Sequence, residues 1–234
     1  MFDGKMKAIT FSYDDGTLQD ERLAHMFRKY NVRATFNINS GNFSKKGELL
    51  RDGVIVDHTK LSVDDAKRVY AGFEIASHTL THPNLDKLSE DEIIAQISDD
   101  INNLSEIFET EISGFVYPGG RACQTQYVYD TVKKNFRFLY AREIESTLSF
   151  DLQKDLMQFK PTVHHMKFND LFELGHKFID MKPDKPQIFY IWGHTFEFDI
   201  DNSWDRFEEF LRMISFRSDI FYGTNKEVFS LAAK

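Results

Sequence analysis

Cysteine is almost missing from this chain. Cys123 is the single one, so no intrachain disulfide can form and no thiolate cage can hold a metal; Cys123 reads as a packed or partly exposed bystander. Positive charge is also in short supply. Lys and Arg number 29 against 37 Asp and Glu, for a net charge of −8, which argues against nucleic acid as the main partner because phosphate binding needs clustered cations. No stretch approaches the ~18 uninterrupted apolar residues of a membrane span. The start, Met1-Phe2-Asp3-Gly4-Lys5-Met6-Lys7, lacks the apolar core of a signal peptide. The expectation is a cytoplasmic protein with no membrane or nucleic-acid partner. Repeats, linkers and low-complexity tracts are absent too, which leaves a single domain over residues 1–234. Nothing here bears on oligomeric state.

What is present is an ordinary globular composition, 41% hydrophobic and 28% charged, with enough length for a substantial core. The 23 phenylalanines point to a core and pocket rich in rings. Apolar spacing predicts helices over 18–30, 62–71, 89–108, 124–135, 169–181, 203–215 and 226–233, with Ser62-Val63-Asp64-Asp65 and Ser89-Glu90-Asp91-Glu92 as capping boxes. Strands are expected at 8–11, 32–38, 73–77, 114–117, 138–141, 187–192 and 220–222, with a small hairpin near Val54-Ile55-Val56. The stretch 142–165 is weakly periodic. Strands alternating with helices in this way imply parallel pairing with crossover helices, and a β/α barrel is the first choice.

Ser12-Tyr13-Asp14-Asp15-Gly16 ends the first strand. Adjacent carboxylates repel there unless a cation sits between them, and a divalent ion would resolve the conflict. His78-Thr79-Leu80-Thr81-His82 follows another strand, and two imidazoles plus one carboxylate make a metal triad with positions left for water. Tyr117-Pro118-Gly119-Gly120 and Trp192-Gly193-His194 also follow strands. In a parallel barrel all four clusters share one rim. Taken singly, the Asp pair is a helix cap, the histidines are surface or packed groups, and Pro118-Gly119-Gly120 is a plain turn.

In order and spacing, these four motifs resemble the NodB-homology polysaccharide deacetylases, carbohydrate esterase family 4, over nearly the whole chain. The resemblance implies an irregular (β/α)7-type barrel and metal-dependent removal of acetyl groups, usually from N-acetylated sugars. It implies Asp14 as general base, Asp15, His78 and His82 as metal ligands, and His194 as general acid. Two positions depart from the pattern. The third motif usually opens with an arginine that orients the base, and Val116 stands there; Arg142, after another strand, is the candidate replacement. The fourth-motif aspartate that tunes the acid histidine is not recognisable. Asp151 and Glu197 are the candidates, although Glu197 and Asp199 otherwise read as a solvated edge. His164 and His165 read as structural or as pocket rim.

The chemistry fits these residue types. A divalent ion, Zn²⁺ by default with Co²⁺, Ni²⁺ or Mn²⁺ as substitutes, lowers the pKa of water towards ~7 and polarises a carbonyl. The backbone at Gly119 or Gly120 can approach an oxyanion, and Tyr117, Trp192 and Phe196 can stack on a sugar; Tyr117, Pro118, Gly119, Gly120, Arg142 and Trp192 are the expected substrate contacts. An acetylated saccharide is thus the expected partner. The alternatives are an O-acetyl esterase or linear-amide hydrolase on the same scaffold, and a saccharide-binding protein that keeps the metal site without turnover. A non-haem iron oxygenase ranks below these, because its His-x-Asp ligand run is absent.

Overall fold

The computed structural model describes residues 1–51 and 53–232. Its centre is strand β1 (Lys7–Asp14), buried along its whole length. Burial on both faces is why Ala8-Ile9-Thr10-Phe11 carries little polar alternation. Strand β9 (Gln187–His194) runs beside all of β1. On the opposite edge β10 (Ile220–Tyr222) pairs with Lys7–Ile9, and β2 (Ala34–Ile38) with Phe11–Asp14. Beyond β2 come β5 (Glu74–Ser77), β6 (Gly114–Val116) and β7 (Tyr140–Arg142), while β8 (Val163–His164) flanks β9. All pairings in this eight-stranded sheet are parallel. A separate antiparallel hairpin, β3 (Glu48–Arg51) with β4 (Val54–Asp57), stands where the Val54 hairpin is expected.

The sheet curls into the expected irregular (β/α)7-type barrel, open between β7 and β8. Residues 143–162 bridge that opening by backbone hydrogen bonds, among them Glu143 N to Phe159 O and Phe159 N to Ala141 O, both 2.9 Å. A filler of this kind has no regular face to bury, hence the weak periodicity of its sequence.

Helices α1 (Asp20–Lys29), α2 (Val63–Val69), α3 (Glu90–Phe108), α4 (Gln126–Asn135), α5 (Phe168–Asp180), α7 (Trp204–Ile214) and α8 (Asn225–Ala232) match the expected segments to within a few residues. Ala233, the expected end of the last, lies outside the described residues. The short α6 (Glu197–Ile200) carries no sequence signal of its own. The capping box at α3 is complete: Ser89 takes the Glu92 N–H, and Glu92 takes the Ser89 N–H. The aromatic core is also present, with Phe11 and Phe27 centroids 5.1 Å apart at its middle. Among the described residues no helix is long and apolar enough to cross a membrane.

Candidate active site

Parallel pairing puts every C-terminal strand end on one rim. Asp14 closes β1, level with Asn37 on β2 and His194 on β9. The Arg142 guanidinium, from the end of β7, places Nη2 2.5 Å from both Asp14 oxygens, and Asn37 Nδ2 donates to Oδ1 at 2.7 Å. Arg142 is fully buried and Asp14 is 2% exposed. The Trp192 ring covers the other side of the guanidinium, 4.5 Å from Cζ. Burial alone would push the Asp14 carboxyl up, but Arg142, with His78 and His194, offsets this and holds it below its ordinary value. Arg142 does not line the cleft. Its place among substrate contacts is therefore corrected: complete burial puts it beneath Asp14. Val116 and Arg142 are register partners on adjacent strands, so the guanidinium sits one strand over from the expected position at the same height.

Val116 contributes through its backbone. Its carbonyl accepts His78 Nδ1–H at 2.9 Å, which leaves Nε2 with a free lone pair facing Asp15. Burial pushes the His78 imidazole down to about 4, so it is neutral at ordinary pH and able to ligate. His78 Nε2 and His82 Nε2 each lie 3.9 Å from Asp15 Oδ1. Donors ~2.0–2.2 Å from one ion stand roughly 3–4 Å apart, and this N,N,O set fits a small divalent cation. Asp15 and His82 adopt left-handed backbone, with φ of 82° and 60°, a conformation that costs non-glycine residues energy and clusters at functional sites.

Three further residues hold this triad, and none of them belongs to the four motifs. His58 Nε2 lies 3.1 Å and Lys60 Nζ 3.7 Å from Asp15 Oδ2. Burial raises the Asp15 carboxyl, but these partners bring it well below its ordinary range. Asp100, buried in the middle of α3, accepts from Ser77 Oγ at 2.6 Å and from the His78 N–H at 3.2 Å. A polar residue interrupting an apolar helix face is the hint that could have found it.

His194 closes β9, with Nε2 4.0 Å from Asp14 Oδ2. Glu197 is not a solvated edge. The first turn of α6 folds its carboxylate back under the rim, where Oε2 lies 2.8 Å from His165 Nε2, 3.2 Å from His164 Nε2 and 3.3 Å from His194 Nδ1. The last is an ion-pair contact rather than an aligned hydrogen bond, but Oε2 also accepts the His194 backbone N–H at 3.1 Å. Burial would lower the His194 imidazole; the Glu197 charge reverses that and raises it to about 9. Asp151 is exposed and paired with Lys185, so of the two candidates Glu197 is the one that faces His194. His165 is buried and held neutral, its imidazole pushed down by burial to about 4, with Nδ1 3.1 Å from Tyr13 Oη. Gly193 makes room for it, since a Cβ there would lie 2.2 Å from the His165 ring.

The role of Glu197 is testable. In metal-free Glu197→Gln protein, NMR titration is expected to find His194 deprotonating at least ~1 pH unit below the wild-type value. An unchanged midpoint would place the cause elsewhere. Because the folded value exceeds the unfolded ~6.5, the pair stabilises fully below that pH, and its contribution disappears as pH rises through about 9.

These groups open onto one cleft of about 640 Å³, lined by Asp14, Asp15, His78, His82 and His194. Tyr117, Gly119, Gly120 and Trp192 also line it. Pro118 is buried behind them. Tyr117 and Trp192 are only 1% and 7% exposed, so most of both rings is committed to packing. Gly119 has φ +78°, which favours glycine.

Fold and site define an α/β-barrel protein whose cleft gathers carboxylates and imidazoles at the strand ends. The family model for polysaccharide deacetylase matches residues 3–138, more than half of the chain, and the chain belongs to that family. No curated protein matches. Among solved structures, the Xyl-CE4 domain of a multidomain xylanase from the hindgut metagenome of Trinervitermes trinervoides is 17% identical, with TM-score 0.57, over 97% of this chain and 91% of that one. A family 4 acetyl xylan esterase from Clostridium thermocellum, in complex with a cobalt ion, is 17% identical at TM-score 0.57, over 97% of this chain and 92% of that one. A CE4 family pseudoenzyme from Bacillus anthracis is 15% identical at TM-score 0.55, over 95% of this chain and 65% of that one. The likenesses establish the shared fold.

Proposed function

We propose that this protein is a metal-dependent hydrolase that removes acetyl groups from an N-acetylated saccharide. The observation that carries the reading is the meeting of Asp14, clamped by Arg142, with the Asp15–His78–His82 donor set and with His194 across the cleft. Asp15, His78 and His82 would hold a divalent ion, which when bound would supply Lewis acidity to water and to the acyl oxygen. Asp14, kept ionised by Arg142, takes the proton of the attacking water. Gly119 and Gly120 line the cleft, and their backbone N–H groups are the donors assigned to the developing oxyanion. His194, kept protonated by Glu197, gives its proton to the leaving nitrogen as the C–N bond breaks, so that acetate and a free amine result.

An alkoxide leaves more readily than an amine, so O-acetyl cleavage on the same scaffold would depend less on His194. Val116 at the usual arginine position is the feature that favours the non-catalytic reading, and Arg142 beside Asp14 weighs against it. The test is acetate release by protein loaded with Zn²⁺ or Co²⁺, from N-acetylglucosamine oligomers, peptidoglycan fragments and acetylated xylan. Release from an N-acetylated substrate that stops on chelation and returns with metal is expected. Release from xylan alone favours the esterase. Binding without release supports the non-catalytic reading.

A further inference from the structure

The protein is acidic overall, yet the mouth of its cleft is not. Three carboxylates line the cleft, and each is already engaged: Asp14 by Arg142, Asp15 by His58 and Lys60, Glu197 by three histidines. The cations Lys45, Lys46 and Arg51 line the same cleft and are exposed. Among the described residues, Lys45 and Lys46 have no carboxylate partner. The backbone that carries them is held in place as well. Ser44 N donates to Leu61 O at 2.9 Å, Lys60 N to Lys45 O at 2.9 Å, and His58 N to Gly47 O at 2.8 Å. Residues 44–47 thus pair with the segment, just beyond β4, that presents His58 and Lys60 to Asp15. One antiparallel ribbon steadies the donor set on one side and puts two ammonium groups at the cleft mouth on the other.

We propose that the cleft selects an anionic saccharide, one with a carboxylate or phosphate on or next to the acetylated sugar, and that Lys45 and Lys46 recognise that charge. This rests on the deacetylase reading and narrows its substrate. A neutral glycan gains nothing from two cations at a cleft mouth that have no carboxylate partner among the described residues, whereas an anionic one is drawn in by a field focused between low-dielectric walls. Exposed pairs are individually modest, so two together are expected to change affinity about 3- to 30-fold, less at high salt.

The test compares wild type with Lys45→Gln/Lys46→Gln, both metal-loaded. Binding and acetate release are measured on three oligomers of equal length: neutral N-acetylglucosamine, N-acetylglucosamine alternating with glucuronate, and N-acetylglucosamine linked through phosphate. At low salt the wild type is expected to prefer one anionic oligomer. The double variant should lose that preference about 3- to 30-fold, with the neutral oligomer unaffected and the difference shrinking in ~0.5 M salt. The arm that responds tells carboxylate from phosphate. Equal binding of neutral and anionic oligomers by wild type, no binding of either anionic oligomer, or equal losses on all three in the variant would overturn the proposal. Binding is read without turnover, so an anionic preference without acetate release would defeat the deacetylase reading alone. Release at equal kcat/KM from all three would defeat only the charge selection.

Discussion

Replacing Arg142 by methionine is expected to destabilise the protein by ~3–5 kcal/mol, the usual result of removing one partner of a buried ion pair. For a chain of this size that is a fall in Tm of roughly 6–20 °C. The cause is the charge left behind. Asp14 is 2% exposed, and without the guanidinium only the Asn37 amide and the imidazoles of His78 and His194 face it. Thermal melts of wild type, Arg142→Met and Arg142→Met/Asp14→Asn check this, and the double variant should recover a large part of the loss because no unpaired carboxylate remains. The sign of the pH dependence is fixed. Wild-type Asp14 has a depressed folded value, so its pairing stabilises above the unfolded ~3.9 and is lost as pH falls through the folded value. The gap between wild type and Arg142→Met should narrow on acidification. A Tm within ~2 °C of wild type, less than ~1 kcal/mol, would show that the pair contributes nothing net.

Asp14→Asn is expected to lower kcat about 10²–10⁴-fold, the range for loss of a positioned general base, with KM and bound-metal content nearly unchanged. Asparagine keeps the shape and one acceptor for Arg142 but cannot take a proton. Metal content is the informative control, because Asp15 is the next residue and a shifted backbone would empty the donor set before it slowed proton transfer. A loss below tenfold with full metal content would move the base elsewhere. A loss accompanied by missing metal would assign Asp14 a structural part in the metal site.

Much of this architecture was legible in one dimension. Buried parallel strands leave short apolar runs, amphipathic helices leave stripes, and Ser89 with Glu92 writes a capping box that the fold realises. The motif residues Asp14, Asp15, His78, His82 and His194 were legible because parallel topology sends strand ends to one rim. The less visible residues share a different cause. Glu197 looked solvated because it alternates with Asp199 and Asp201 in an acidic stretch, and only the turn into α6 carries it beneath three histidines. His58 and Lys60 sit on the hairpin side, where no sequence spacing ties them to Asp15.

The sequence by itself determined the alternation of strands and helices, the family, and which residue types stand at the strand ends, because these follow from local periodicity and from motif order. Only the tertiary structure decided which cation faces which anion. Arg142 reaches Asp14 across 128 positions of sequence because curling brings β7 round to β1 at the level of their last residues. Lys45 and Lys46 reach the cleft mouth by a separate route, the backbone pairing of 44–47 with the segment at 58–61. Charge pairing acts over a few ångströms of space, and sequence distance carries no record of it.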